Sequence, residues 1–117
     1  MDRVFDSELK VMEIIWENEP VSAKRISEIA KERIGWSKNT TYTVVTKLVA
    51  KGLLKREDPG FVCSSLVTRD QVRRSETRSL ADRLFGGSKK ALFSALLEDE
   101  ELSEADIREL KDLINGK

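Results

Sequence analysis

A chain of 117 residues holds one modest domain and a smaller appendage, which excludes a large enzyme. Lys plus Arg and Asp plus Glu both number 21, so the net charge is zero and gives no sign of a polyanion partner; a single cysteine, Cys63, and no histidine exclude an internal disulfide framework and leave a soft-metal site without its usual ligands. No apolar run reaches the roughly 18–20 residues of a membrane span, and the acidic start lacks the basic region and long apolar core of a signal peptide, so a cytoplasmic protein is expected.

Charge is sorted along the chain instead. Residues 1–21 carry six acids and two bases, residues 22–56 nine bases and two acids, residues 69–90 seven bases and three acids, and residues 98–112 eight acids and two bases. One surface therefore suits a polyanion while the others do not.

In chain order, Asp6 or Ser7 is expected to cap a first helix. Its Leu9, Val11, Met12, Ile14, Ile15 and Trp16 are too many apolar groups for one face, so most of its circumference is expected to be buried. Pro20 ends it by disfavouring helix at Glu19. Ser22 caps a second helix, with Val21 placed to staple onto Ile26 and an inward stripe of Ile26, Ile29, Ala30 and Ile34. Gly35 and Trp36 turn the chain into Ser37, the N-cap of a third helix that Gly52 ends.

That third segment, Ser37 to Gly52, has two faces at 3.6 residues per turn. Val44, Val45, Leu48 and Val49 form an apolar stripe, and Asn39, Tyr42, Thr43, Thr46 and Lys47 recur on the other side. The second face carries no acid. Its short amide and hydroxyl groups suit base edges and phosphates in a DNA major groove, so it reads as a recognition helix. The β-branched content would also fit a strand, but alternation then puts Thr46 in the middle of the apolar row, whereas the helix separates the two chemistries. A surface helix that merely lacks acids is the simpler alternative.

Two short helices, a tight turn and a third helix with a polar face make a helix-turn-helix. Leu53 to Glu57 reads as a strand, Asp58-Pro59-Gly60 as a turn and Phe61 to Leu66 as a return strand, a hairpin that forms a wing. Thr68 and Gln71 have the spacing of a capping box and open a fourth helix, which Gly86-Gly87 ends. A short helix from about Ser88 to Glu98 follows, then an acidic turn, Glu98-Asp99-Glu100-Glu101. Ser103 caps the last helix, with Leu102 placed to staple onto Ile107.

The expected fold is thus mainly α with a small β wing: a winged helix-turn-helix over residues 1–67, followed by an α-helical dimerisation tail over residues 68–117. Three short amphipathic helices bury too little surface alone. A symmetric homodimer through Val72, Leu80, Leu84, Phe85, Leu92, Leu96, Ile107, Leu110 and Ile114 covers them, and another partner is the alternative.

Ser37, Lys38, Asn39 and Thr40 stand at the helix N-terminus, where backbone N–H groups attract a phosphate. Asn39, Tyr42, Thr43 and Thr46 are the base-edge candidates; Lys47 and Lys51, and Lys55 and Arg56 on the wing, are candidates for phosphate contact or for plain solvation. Trp16, Trp36 and Cys63 are read as packing residues. With no histidine, no phosphate-cradling glycine loop and no carboxylate pair in a recognisable cleft, no enzymatic activity, cofactor or metal is expected.

Leu9 to Trp16, the Trp36-Ser37 pair with Thr40 and Thr41, the run Lys47 to Leu54 and the closing Leu102-Ser103 helix together resemble the penicillinase repressor family, of BlaI and MecI type, which includes the CopY copper repressors. The resemblance spans essentially the whole chain and is most specific from Trp36 to Leu54. It implies a winged-helix dimer that binds a palindromic operator in double-stranded DNA and represses transcription, often of β-lactam resistance genes. Members released by a sensor protease carry Asn-Phe where this chain has Ala95-Leu96, and copper-sensing members end in a Cys-x-Cys cluster that this tail lacks. A winged-helix module that binds protein without reading DNA is the competing function.

Overall fold

The structure, a computed structural model, describes residues 1–98 and 101–116. The expected acidic turn therefore lies partly outside the described residues. In chain order the elements are α1 (Asp6–Asn18), β1 (Val21–Ser22), α2 (Ala23–Ile34), α3 (Lys38–Ala50), β2 (Leu54–Glu57), β3 (Val62–Ser65), α4 (Arg69–Phe85), α5 (Lys89–Leu97) and α6 (Glu104–Asn115). The mainly helical winged fold expected from the sequence is the fold observed.

Two compact units form, Met1–Glu76 and Thr77–Lys117, and the chain passes from one to the other within α4. In the first unit, α1, α2 and α3 bury Val11, Met12, Ile15, Ile26, Ile29, Ala30, Val44, Val45 and Leu48 against Leu53, Leu54 and Cys63 of the wing. Each large aliphatic group withdrawn from water stabilises the unit by roughly 1.5–3 kcal/mol. Trp16 closes one edge, its indole N–H donating to Ser65 Oγ at 3.1 Å and to the Val67 carbonyl at 3.0 Å.

Strand β3 is central in an antiparallel sheet of order β1-β3-β2, with Val21 opposite Cys63 and Arg56 also opposite Cys63 from the other side. Strand β1 was not expected. Two residues carry no period of their own, and only the partner strand makes Val21-Ser22 extended.

Local signals placed most boundaries. Ser22 accepts from Arg25 N–H, Ser37 from Thr40 N–H and Ser103 from Asp106 N–H, and Thr68 with Gln71 forms a complete capping box. Gly35 (φ 74°) and Gly52 (φ 77°) take the left-handed conformation that ends α2 and α3. The start of α1 differs from expectation: its N-cap is Phe5, and the Glu8 carboxylate reaches back to accept the Phe5 N–H at 3.0 Å. Asp6 and Ser7 lie inside the helix instead of capping it, and the carboxylate at the third helical position supplies the return half of a capping box.

Val72 is a correction. Placed by the sequence at a dimer interface, it is 3% exposed and belongs to the core of the first unit. The first turns of α4 are held there by Arg69 on Glu13 (2.7 Å) and by Glu76 accepting the Val4 N–H (3.4 Å), so the boundary between units lies two turns into α4, where the sequence suggested its start.

In the second unit, Ala81 and Leu92 are buried while Leu84, Leu96, Leu113 and Ile114 are each more than half exposed. A groove of about 440 Å³ runs past Ala81, Leu92, Phe93 and Leu96, and another of about 270 Å³ past Phe93, Leu97, Leu102 and Leu110. Leu80, Phe85, Ile107 and Leu110 are half-buried. No helix among the described residues is long and apolar enough to cross a membrane.

Candidate nucleic-acid interface

Helix α3 forms in spite of its β-branched sequence through its Ser37 cap and its buried face, and two of its threonines turn their hydroxyls onto their own backbone. Thr41 Oγ1 donates to the Ser37 carbonyl at 3.1 Å and Thr43 Oγ1 to the Asn39 carbonyl at 2.9 Å. Thr41, Val44, Val45 and Leu48 are buried, which fixes the rotation of the helix about its axis. Its opposite face is thereby turned outward.

On that outward face Asn39, Tyr42, Thr43, Thr46 and Lys47 line one open depression of about 440 Å³. Asn39, Thr43, Thr46 and Lys47 are exposed, and Tyr42 is half-buried. Among the described residues the Asn39 amide and the Thr46 hydroxyl make no intramolecular hydrogen bond, so their donors and acceptors are open to a ligand. Ser37, Lys38 and Thr40 are exposed at the N-terminal end, with Ser37 and Thr40 joined hydroxyl to hydroxyl at 3.0 Å. No acid occurs between Lys38 and Ala50. The surface combines a helix N-terminus with unspent amide and hydroxyl groups, which is chemistry for phosphates and base edges.

The wing adds two cations. Lys55 pairs with Glu57 at 3.1 Å, both well exposed. Arg56 lies over the Phe61 ring, its guanidinium carbon 3.6 Å from the ring centroid, and its Nε and Nη2 donate to the Asp58 carboxylate at 3.2–3.4 Å. Phe61 in turn meets Tyr42 of α3 with ring centroids 5.9 Å apart, and Lys38 lies 5.5 Å above Tyr42. The sequence reading missed Phe61 as a functional residue. A signal existed, since in an antiparallel hairpin that pairs Arg56 with Cys63 a residue two before Cys63 is the diagonal neighbour of Arg56.

Lys51 stands apart from the other candidates. Its ammonium donates to Glu8 Oε1 at 2.7 Å and to the Arg3 carbonyl at 3.0 Å, and lies 4.6 Å over the Phe5 ring. Its donors tie the end of α3 to the start of the chain instead of facing a phosphate, because the buried Glu8 carboxylate offers an unscreened partner. On the buried side of the wing strand β3, burial pushes the Cys63 thiol above its ordinary value of 9.0, partly offset by the positive charge of Arg56. Among the described residues no group of His, Cys, Asp and Glu is arranged to hold a metal ion.

With this geometry in place, comparison with known proteins is specific. A family described as penicillinase repressor matches residues 5–116. The methicillin resistance regulatory protein MecI of Staphylococcus aureus is 29% identical over 116 residues, covering 97% of this chain and 94% of that protein. A penicillinase repressor of Staphylococcus aureus is 31% identical over 111 residues, covering 93% and 88%. The solution structure of monomeric Bacillus licheniformis BlaI in complex with the blaP half-operator superposes with a TM-score of 0.52 at 25% identity, over 59% of this chain and 87% of that one.

Proposed function

The chain belongs to the penicillinase repressor family of transcriptional repressors, and we propose that it acts as a homodimer on a palindromic operator, one α3 helix entering the major groove of each half-site. The observation that carries the reading is the single open, acid-free surface on which Asn39, Tyr42, Thr43, Thr46 and Lys47 meet. Asn39, Tyr42, Thr43 and Thr46 read base edges. Ser37, Lys38 and Thr40 at the helix start, Lys47 on its flank and Lys55 and Arg56 on the wing engage phosphates, while Lys51 holds the fold. Leu84, Leu96 and Ile114, exposed in the single chain, are covered by the second copy, with Leu80, Phe85, Leu92, Ile107 and Leu110 around them. The regulated genes belong to β-lactam resistance or a related stress response, in line with the names of the relatives.

The test is selection of duplexes from a random-sequence pool, followed by binding across a salt series. A palindrome should be enriched, with an affinity that falls steeply as salt rises. Asn39→Ala and Thr43→Ala should each weaken the selected duplex by about 5- to 150-fold and alter the enriched sequence, since one base contact carries roughly 1–3 kcal/mol of discrimination. Lys47→Ala should weaken all sequences alike. Equally weak binding to every duplex, with a dissociation constant of about 10⁻⁴ to 10⁻⁶ M, would instead favour a protein-binding module.

A further inference from the structure

We propose that Phe61 is a positioning residue of the DNA interface: its ring holds the Arg56 guanidinium at the wing so that the cation meets a backbone phosphate beside the reading face of α3. The proposal rests on the DNA-binding reading above and adds a residue that contacts no nucleotide in it.

Four side chains form a continuous row of contacts from helix to wing, Lys38 over Tyr42, Tyr42 tilted at 46° against Phe61, and Phe61 under Arg56, with spacings of 5.5, 5.9 and 3.6 Å. The last contact is the tightest. A guanidinium is a planar, weakly hydrated cation that stacks well on an aromatic face while its edge N–H groups stay free to donate. An arginine left to itself on an exposed strand samples many rotamers and must lose that freedom on meeting DNA; on the ring most of the freedom is already gone.

The backbone at Phe61 supports the same assignment. Its φ is +49°, the one positive φ at a residue other than glycine among the described residues, directly after Gly60 at φ +98°. A bulky side chain is strained there, and such strain persists where the surroundings over-determine it and the residue has a task. The surroundings do over-determine it: the Phe61 carbonyl accepts the Ala23 N–H at 2.9 Å at the start of α2, while the ring is caught between Tyr42 and Arg56. A glycine would satisfy the turn more easily and leave Arg56 without a platform.

Asp58 completes the arrangement and works against it. Its carboxylate takes the Nε and Nη2 donors of Arg56 at 3.2–3.4 Å, the same edge that a phosphate would use, and both side chains are about half exposed. In the free protein Asp58 occupies the place of the phosphate, so a DNA backbone must displace it against like-charge repulsion.

The experiment uses the full chain and the duplex it selects from a random pool, with affinity measured across a salt series. Phe61→Leu should lower the logarithmic salt slope by about 0.9 per chain, the value of one phosphate contact, and weaken every sequence in the same proportion. Phe61→Trp should restore the slope. Phe61→Gly relieves the backbone strain but removes the ring, so it should lose slope as Phe61→Leu does while remaining folded. Arg56→Gln combined with Phe61→Leu should be no worse than Arg56→Gln alone, and Asp58→Asn should tighten binding, most at low salt. A wild-type slope in both Phe61→Leu and Phe61→Gly, or additive losses with Arg56→Gln, overturns the proposal and leaves DNA binding standing. A wild-type chain that enriches no duplex overturns both readings together.

Discussion

Cys63 is fully buried on β3, between the two outer strands and opposite Arg56 in the ladder with β2. Burial disfavours the thiolate more than the nearby guanidinium favours it, so in the folded chain the thiol keeps its proton to higher pH than it would in water. The consequence for stability follows by linkage. Below the ordinary value of 9.0 both folded and unfolded thiols are protonated and the full stability is present; above it the unfolded thiol has lost its proton while the folded one retains it, and stability declines. Denaturation midpoints measured at pH 7 and pH 10 should therefore fall further for the wild type than for Cys63→Ala. Residue type foretold a buried thiol. It did not foretell that Lys51 would be consumed by Glu8, since a lysine at the C-terminal end of a helix has the same sequence signature whether it faces a phosphate or a carboxylate.

At the scale of the element, α3 stands on its caps and its packed face more than on propensity. Threonine and valine lose side-chain freedom in a helix, and the N-terminal turn depends on Ser37 accepting the Thr40 N–H at 3.2 Å. Replacing Ser37 by Ala should cost about 1 kcal/mol of stability in urea unfolding, with Ser37→Asp costing far less because it keeps the cap. On the proposed function the two part company in DNA binding, since the aspartate places a negative charge where a phosphate is held. The caps at Ser22, Ser37, Thr68 and Ser103 were legible because each is decided within four residues. The start of α1 was missed although it too is local, because an apolar Phe5 at the N-cap gives no capping signal of its own and the bond comes from Glu8 three residues on; the strand β1 was missed because it rests on a partner strand some 40 residues away.

For the whole molecule, the first unit owns a core that includes Val72 and is tied at its edge by Arg69 to Glu13. The Glu13 carboxylate also raises the pKa of Arg69 through their side-chain hydrogen bond. A chain ending at Val67 should accordingly be less stable than one ending at Glu76 by about 2 kcal/mol, the contribution of one buried valine with its contacts, measured by thermal unfolding. The longer truncation should fold, sediment as a monomer under the proposed dimer reading, and bind the selected palindrome far more weakly than the full chain. A truncated chain that still dimerises would remove the tail from that reading.

The sequence by itself determined which residues share a face. Apolar period, caps and breakers are local, so they placed the helices, the wing and an acid-free surface on α3 without any knowledge of what packs on what. Only the tertiary structure decided the partners: Lys51 with Glu8 across 43 residues, Arg69 with Glu13 across 56, Trp16 with Ser65 across 49. Periodicity says that a side chain points inward or outward but carries no label for its neighbour. The neighbour is set when helices and strands settle at the packing that buries most apolar surface, and that is a property of the whole chain.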